Sequence, residues 1–452
     1  MGETPGVPRP RRRPRVGCTW ACCGWLLAAA LLLPVLVWGA ASAITGRMYQ
    51  HELDRLKRQG EPLTVRELAP KVPEGHDNAA NLYAELPSLD RMTAFMKTIP
   101  GYTSDKWNAA WRARARQAVT ANQGYFRVLE QASRIEECAF PVDWEAGQMA
   151  LMPHPRYLRE AARWLQVRAE VQLLDGRPGE AAASCAGILR VADHAGCGPS
   201  ILEALVAQAI RTIALRELAR LLASDSLTRP TCLSLYWQLE SIDSAGALLR
   251  TVRGERASWV QTFALLERGE GVAPMFGEES ALQVDRYQSF GRPSWNLDKL
   301  SYLRASEKYL AALDKPWAEA RERAKTLSVE IARLRLNDVT DGAFDLNFTP
   351  FLLWQSRGDA ARMGAARTAL AAVLYRHDHG RYPDSLEELE KAGWKLPLDP
   401  FTAKPLRYRR EPNGFAVWSL GPDMTNNNAR DFNPAKDQWD TLGYDLVFRV
   451  AR

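Results

Sequence analysis

The chain has 452 residues, 46% of them hydrophobic and 25% charged, with a net charge of +6. That length and balance describe a globular protein of more than one domain and exclude a disordered or collagen-like chain. Much of the excess charge sits in "RPRRRPR", residues 9–15, and no basic stripe follows it, which argues against a nucleic-acid-binding face.

Residues 16–44 carry no charge. About 20 apolar residues cross the hydrocarbon core of a bilayer as a helix. An anchor over residues 16–45 is therefore predicted, with the lipid bilayer as its partner. Arg11, Arg12, Arg13 and Arg15 stay on the cytoplasmic side by the positive-inside tendency, in a basic tail of residues 1–15. The rest of this single-pass chain then lies outside the cytoplasm. Ala41-Ser42-Ala43 also matches a signal-peptide cleavage site. The length of the apolar stretch favours the uncleaved anchor, with a cleaved signal as the alternative.

Of the seven cysteines, Cys18, Cys22 and Cys23 belong to the anchor region. Cys138, Cys185, Cys197 and Cys232 fall in the part expected outside, where disulfides form. Spacing does not decide the pairing; Cys185–Cys197 and Cys138–Cys232 are the bridges considered.

After the anchor, "MYQHELDRLKRQ" reads as a short charged helix. Prolines then break the chain, and Asp77 or Asn78 caps a helix from Ala79. From about 105 to 340 apolar residues recur at three- and four-residue spacing. An α-helical domain over residues 46–340 is expected. Leu165, Ala169 and Leu173 share one helix face, Asp175-Gly176-Arg177-Pro178-Gly179 is a turn, and Ala182, Ala186, Leu189 and Val191 line a second helix. With Trp164, this pair resembles one tetratricopeptide-type hairpin, without a second copy at a fixed period. Residues 201–223 form a third, buried helix. Residues 268–300, with "RGEGVAPMFGEES" and "SFGRPSWN", read as irregular, and 337–353 as a connection.

A C-terminal α+β module is expected over residues 357–452. A helix stops at His379-Gly380, and Asp384 or Ser385 caps a short helix, Leu386 to Lys391. A hairpin turns at Pro412-Asn413-Gly414, and a last strand covers 444–450. The fold class is thus mostly α: an N-terminal transmembrane helix, a partly tetratricopeptide-like helical domain, and a small α+β module.

The pieces "HGRYPDSLEEL", "LDPFTAKPLRYR", "FAVWSLGPD" and "DLVF" follow one another in the order found in the globular end of type II secretion major pseudopilins, which the module resembles. The resemblance implies that the loop after the "SLG" strand binds calcium. By position Asp423 is the first candidate ligand, with Asn426, Asn428, Asp431 and the Leu420 carbonyl after it. Calcium takes six to eight oxygen ligands, which acids, amides and carbonyls supply. The alternative is a plain polar turn. Genuine pseudopilins join their membrane helix directly to the globular part. Here the apolar segment lies some 300 residues upstream, so the resemblance implies a borrowed fold and not fibre assembly. "ECAFPVDWEAG" and the helices after it resemble bacterial envelope proteins that join an N-terminal anchor to such a module. That implies the inner membrane as the location.

No phosphate loop or nucleophile elbow is present. His377 and His379 diverge at a helix end. Asp143 and Glu145 of "DWE" offer two carboxylates, which glycoside hydrolysis needs, with two surface acids in a loop as the alternative. The expectation is a non-catalytic, anchored envelope protein with protein partners; an envelope glycan hydrolase using Asp143 and Glu145 is the alternative, and a secretion-system component a third.

Overall fold

A computed structural model describes residues 17–86, 95, 97–270, 278–333, 348–433 and 443–451. The fold is mostly helical, with 67% helix and 5% strand. The first helix, α1, spans Gly17–Arg58 without a break. The remaining helices, in chain order, are α2 (Ala79–Tyr83), α3 (Ala109–Ala121), α4 (Gln123–Ala132), α5 (His154–Leu174), α6 (Pro178–Ala195), α7 (Ile201–Ala223), α8 (Arg229–Glu240) and α9 (Ser244–Glu267). After these come α10 (Glu278–Phe290), α11 (Arg292–Leu313), α12 (Trp317–Ala332), α13 (Phe348–His379) and α14 (Leu386–Lys391). Three strands close the chain: β1 (Arg407–Glu411), β2 (Gly414–Ser419) and β3 (Leu446–Ala451).

The expected division between an anchor and a separate charged helix does not occur. Apolar side chains between Trp25 and Ile44 stand exposed, Leu31 at 71%. From Thr45 onward the same helix turns one face inward: Thr45, Tyr49, Glu52 and Leu56 are buried. Their spacing of four, three and four is that of a helix-pairing seam. The partner is α11, which runs parallel to α1. Asn296 Nδ2 bonds the Ser42 carbonyl and Thr45 Oγ1, both at 3.3 Å, and further along Glu307 accepts from Arg55 at 3.0 Å.

The region 268–300 is more ordered than its Gly, Pro and Ser content suggests. Only Gly291 separates α10 from α11, and Pro293 sits in the first turn of α11. A proline there loses no helical hydrogen bond, because the first N–H groups of a helix have no partner within it. Likewise residues 348–353, expected in a connection, are the start of α13; residues 337–347 lie outside the described ones. Asn78, not Asp77, caps α2, its Oδ1 accepting from the Ala80 N–H.

The helices α5 and α6 form an antiparallel hairpin turned at Gly176, whose φ of +71° favours glycine. The α7 helix packs on both. The core then runs on into the C-terminal elements, where Ala366, Ala369 and Leu370 of α13 meet Phe415 and Val417 of β2. The sheet is antiparallel in the order β1-β2-β3, with Tyr408 opposite Val417 and Phe415 opposite Val450. The central strand β2 is buried on both faces. One face meets α13; on the other, Ala416 and Trp418 pack on Leu420 and Ala429 of the following loop. That explains why "FAVW" is a continuous apolar run and not an alternating one.

Candidate functional site

The loop first expected to hold calcium is a hydrogen-bonded turn. Asp423 Oδ1 accepts from the Thr425 N–H (2.9 Å), and Oδ2 from the Gly443 N–H (2.8 Å) and Asn427 Nδ2 (3.2 Å). Asn426 Oδ1 accepts from Trp418 Nε1 and the Asn428 N–H. Asn428 holds a left-handed φ of +58°. Asp431 Oδ1 accepts from the N–H groups of Phe432 and Val447. Leu420 is fixed through its own N–H by Asp399 Oδ2. The deepest acids of the region are Asp399 and Asp445, whose oxygens also face N–H and hydroxyl donors. Burial pushes the Asp445 carboxyl up. A calcium ion would draw on these same oxygens. Among the described residues no three acidic, imidazole or thiol groups converge as metal ligands.

Asp143 and Glu145 lie on a surface turn, where Asp143 caps it through the Glu145 N–H (3.2 Å). The Glu145 side chain is 61% exposed and stands 3.6 Å from Arg66. His379 is stacked on Tyr375 and bonded to its carbonyl.

Chemically distinctive groups gather instead at the α6–α7 corner. Five segments converge there. Tyr83 comes from α2, Cys138 and Phe140 from the extended stretch before α5, His154 from the first turn of α5, His194 from the last turn of α6, and Cys197 and Glu203 from the corner itself. The sequence "SILE", Ser200 to Glu203, is a capping box that fixes Glu203 at the start of α7. Glu203 Oε1 meets His154 Nε2 at 2.9 Å, and Phe140 lies flat on that imidazole at 4.0 Å. Both members of the pair are 1% exposed, so it locks α5 to α7 and faces no solvent. Tyr83 Oη and His194 Nδ1 are 2.8 Å apart. Burial, reinforced by Arg190, lowers His194 to about 4, so the ring is neutral at pH 7.

The Cys138 and Cys197 thiols are near enough to interact. That interaction, then burial, pushes the Cys138 thiol far up. The bridges considered from the sequence are not made: Cys138, Cys185, Cys197 and Cys232 are all free. Cys185 donates to the Ala214 carbonyl inside the helical core (3.4 Å), and Cys232 is buried in α8. Oxidised glutathione is expected to link Cys138 to Cys197, the two thiols giving their protons and electrons to a disulfide that leaves as two thiols. Closing that loop is worth about 4 kcal/mol. Peptide mapping without reductant checks it, and a bridge to Cys185 or Cys232 contradicts it.

Beside this cluster lies a polar cavity of ≈ 350 Å³ between α6, α7, α9 and α13. Arg190, Arg211 and Arg250 face Asp193, Asp359 and Glu136 across it. Arg211 is engaged by Asp359 at 2.7 Å, and Arg250 donates to the Gly196 carbonyl. Arg250 Nε and Gln208 Oε1 are buried without partners among the described residues, and these are the atoms a polar guest or ordered water would meet. Burial pushes the Asp193 carboxyl up to about 6, against the pull of Arg211 and Arg190 and with help from Asp359.

The corner is clamped from α9. Glu255 Oε1 accepts from the Ile201 N–H (2.9 Å), and burial pushes the Glu255 carboxyl up. A Cβ on Gly254 would stand 2.1 Å from the Pro199 carbonyl oxygen and 2.7 Å from Pro199 Cβ. Gly254→Ala is therefore expected to destabilise by about 1–3 kcal/mol, read as a lower midpoint of chemical unfolding.

The histidines and cysteines of this corner are far apart in sequence, and the capping box of "SILE" is the local signal that marks it. Among protein-family models, curated proteins and solved structures, none matches this chain.

Proposed function

We propose that this is a single-pass protein of the bacterial inner membrane, whose helical body lies outside the cytoplasm and serves as a non-catalytic, protein-binding scaffold. One observation carries the reading: α1 is a single helix, bare and apolar over residues 25–44, whose continuation is packed into the body. An apolar helix with no protein around it needs lipid, and one continued into the core holds that core at the membrane.

The cleaved-signal alternative is disfavoured by the same helix. Ala41-Ser42-Ala43 is mid-helix and tied into the body, which supports the uncleaved anchor. Thr45 Oγ1 bonds the Ala41 carbonyl, and Asn296 the Ser42 carbonyl. The α5–α6 hairpin with α7 on it supports a single tetratricopeptide-like unit, a type of surface suited to binding protein. The run α13, α14, hairpin and closing strand supports a pseudopilin-like module carried as a fold.

The test is fractionation followed by crosslinking in intact cells. The expected result is a full-length chain that stays with membranes after carbonate washing and crosslinks reproducibly to the same protein neighbours. A soluble chain beginning near residue 44, or turnover of wall glycan by the purified protein, would overturn the reading.

A further inference from the structure

We propose that the α10–α11 corner is an interfacial foot: Phe290 enters the lipid bilayer at the edge of its hydrocarbon core, beside Trp38, and sets the angle at which the body stands. The inference rests on the anchor reading above.

Depth is the first argument. Trp38 Nε1 donates to the Phe290 carbonyl at 2.8 Å, so the corner stands level with Trp38. Trp20 and Trp38 are 18 residues apart on one helix, about 27 Å. The hydrocarbon core is about 30 Å thick, and tryptophans gather at its two edges. Trp38 therefore marks the outer edge, and Phe290 is held there with it.

Exposure is the second. Phe290 is 80% exposed. Beyond it α11 rises alongside α1, tied by Asn296 to Ser42 and Thr45, so residues 291–297 pass through the headgroup layer. Leu297 on α11 and Ile44 on α1 are exposed along that path, at 43% and 59%. Exposed apolar side chains of the anchor are thus followed by exposed apolar side chains on the body, Phe290 and Leu297.

Charge is the third. Arg286 and Arg292 flank the corner on exposed positions, with Asp285 beside the first. Higher up, Arg47, Arg304 and His51 surround a cavity of ≈ 340 Å³ whose apolar members are Ile44 and Met48, with Glu52 also lining it. Guanidinium groups above an apolar wedge match phosphates above acyl chains.

The experiment places a fluorescent coumarin amino acid at position 290 of the full chain, reconstituted in vesicles containing phospholipid brominated high on the acyl chain. The same probe at Leu36 reports the anchor, and at Trp237 the aqueous body. Trp237 lies in α8, just before α9, a helix about 36 Å long whose other end meets Trp295 and Lys299 near the foot. Quenching at 290 is expected to reach at least half that at 36 and to exceed that at 237 at least fivefold. Quenching at 36 with none at 290 beyond that at 237 overturns the foot and leaves the anchor standing, including the case where a second copy covers Phe290. No quenching at 36 overturns the anchor reading itself.

Discussion

Replacing Arg256 with methionine is expected to cost about 3–5 kcal/mol of stability, the range for breaking a buried ion pair from one side. Arg256 is fully buried and donates Nη1 to Glu307 (2.8 Å) and Nη2 to Glu61 (2.6 Å) and the Pro62 carbonyl. Glu61 also takes a fork from Arg253, and Glu307 a bond from Arg55 at the end of α1. Burial draws the Glu61 carboxyl up, but its bonds to Arg256 and Arg253 outweigh that and hold it below the usual range. A carboxylate held low stabilises above its unfolded pKa, and the contribution is lost as pH falls through the folded value. Arg256→Met should therefore unfold at lower denaturant and lose less on acidification than the native chain. Replacing Arg256, Glu61 and Glu307 together by apolar residues should be milder than the single change, because no charge is then stranded. An Arg256→Met chain as stable as the native one would mean that the network does not hold the body to its anchor.

What could be read in advance was local. The hairpin at Pro412-Asn413-Gly414, the short helix after Ser385 and the stop at Gly380 all follow from residues within a few positions of one another, and each forms where expected. The length of α1 was not legible, because the seam Thr45, Tyr49, Glu52, Leu56 has meaning only against Asn296, Leu300 and Leu303, some 250 residues away. Residues 278–300 misled because composition was weighed above position: Pro293 in a first turn is compatible with helix. The corner cluster was the least legible part. Residues 83, 138, 154, 194, 197 and 203 meet through tertiary packing, which no spacing encodes. In the 423–431 loop the residue types were legible and their partners were not. Residue types suited to a cation are turned onto backbone N–H groups, a choice made by the fold around Asp399 and Asp445.

The second large effect concerns Glu217, a fully buried acid in α7 whose two carboxyl oxygens have no hydrogen-bond donor among the described residues. Glu170 faces it from α5, Cys185 from α6, and Arg220 from its own helix. Arg220 is engaged by Glu170, at 2.5 Å. Burial, then the charge of Glu170, pushes the Glu217 carboxyl well above its ordinary value, with Arg220 opposing. The native state thus keeps a proton on Glu217, pointed at Glu170, over a range where the unfolded chain has released it. A raised acid binds more protons folded than unfolded, so its contribution falls as pH rises above about 4.3, the unfolded value. Glutamine has nearly the same shape and does not titrate. Glu217→Gln is therefore expected to gain on the native protein by up to about 1.4 kcal/mol per pH unit over the interval above about 4.3 in which the native group still holds its proton. Unfolding midpoints of the two proteins across that interval check it: parallel curves would mean that Glu217 is ionised in the folded state, and a native protein that gains on Glu217→Gln with rising pH would reverse the sign. Glu217→Ala tests packing separately: it does not titrate either, so its deficit against Glu217→Gln, the cost of the cavity, should be the same at every pH.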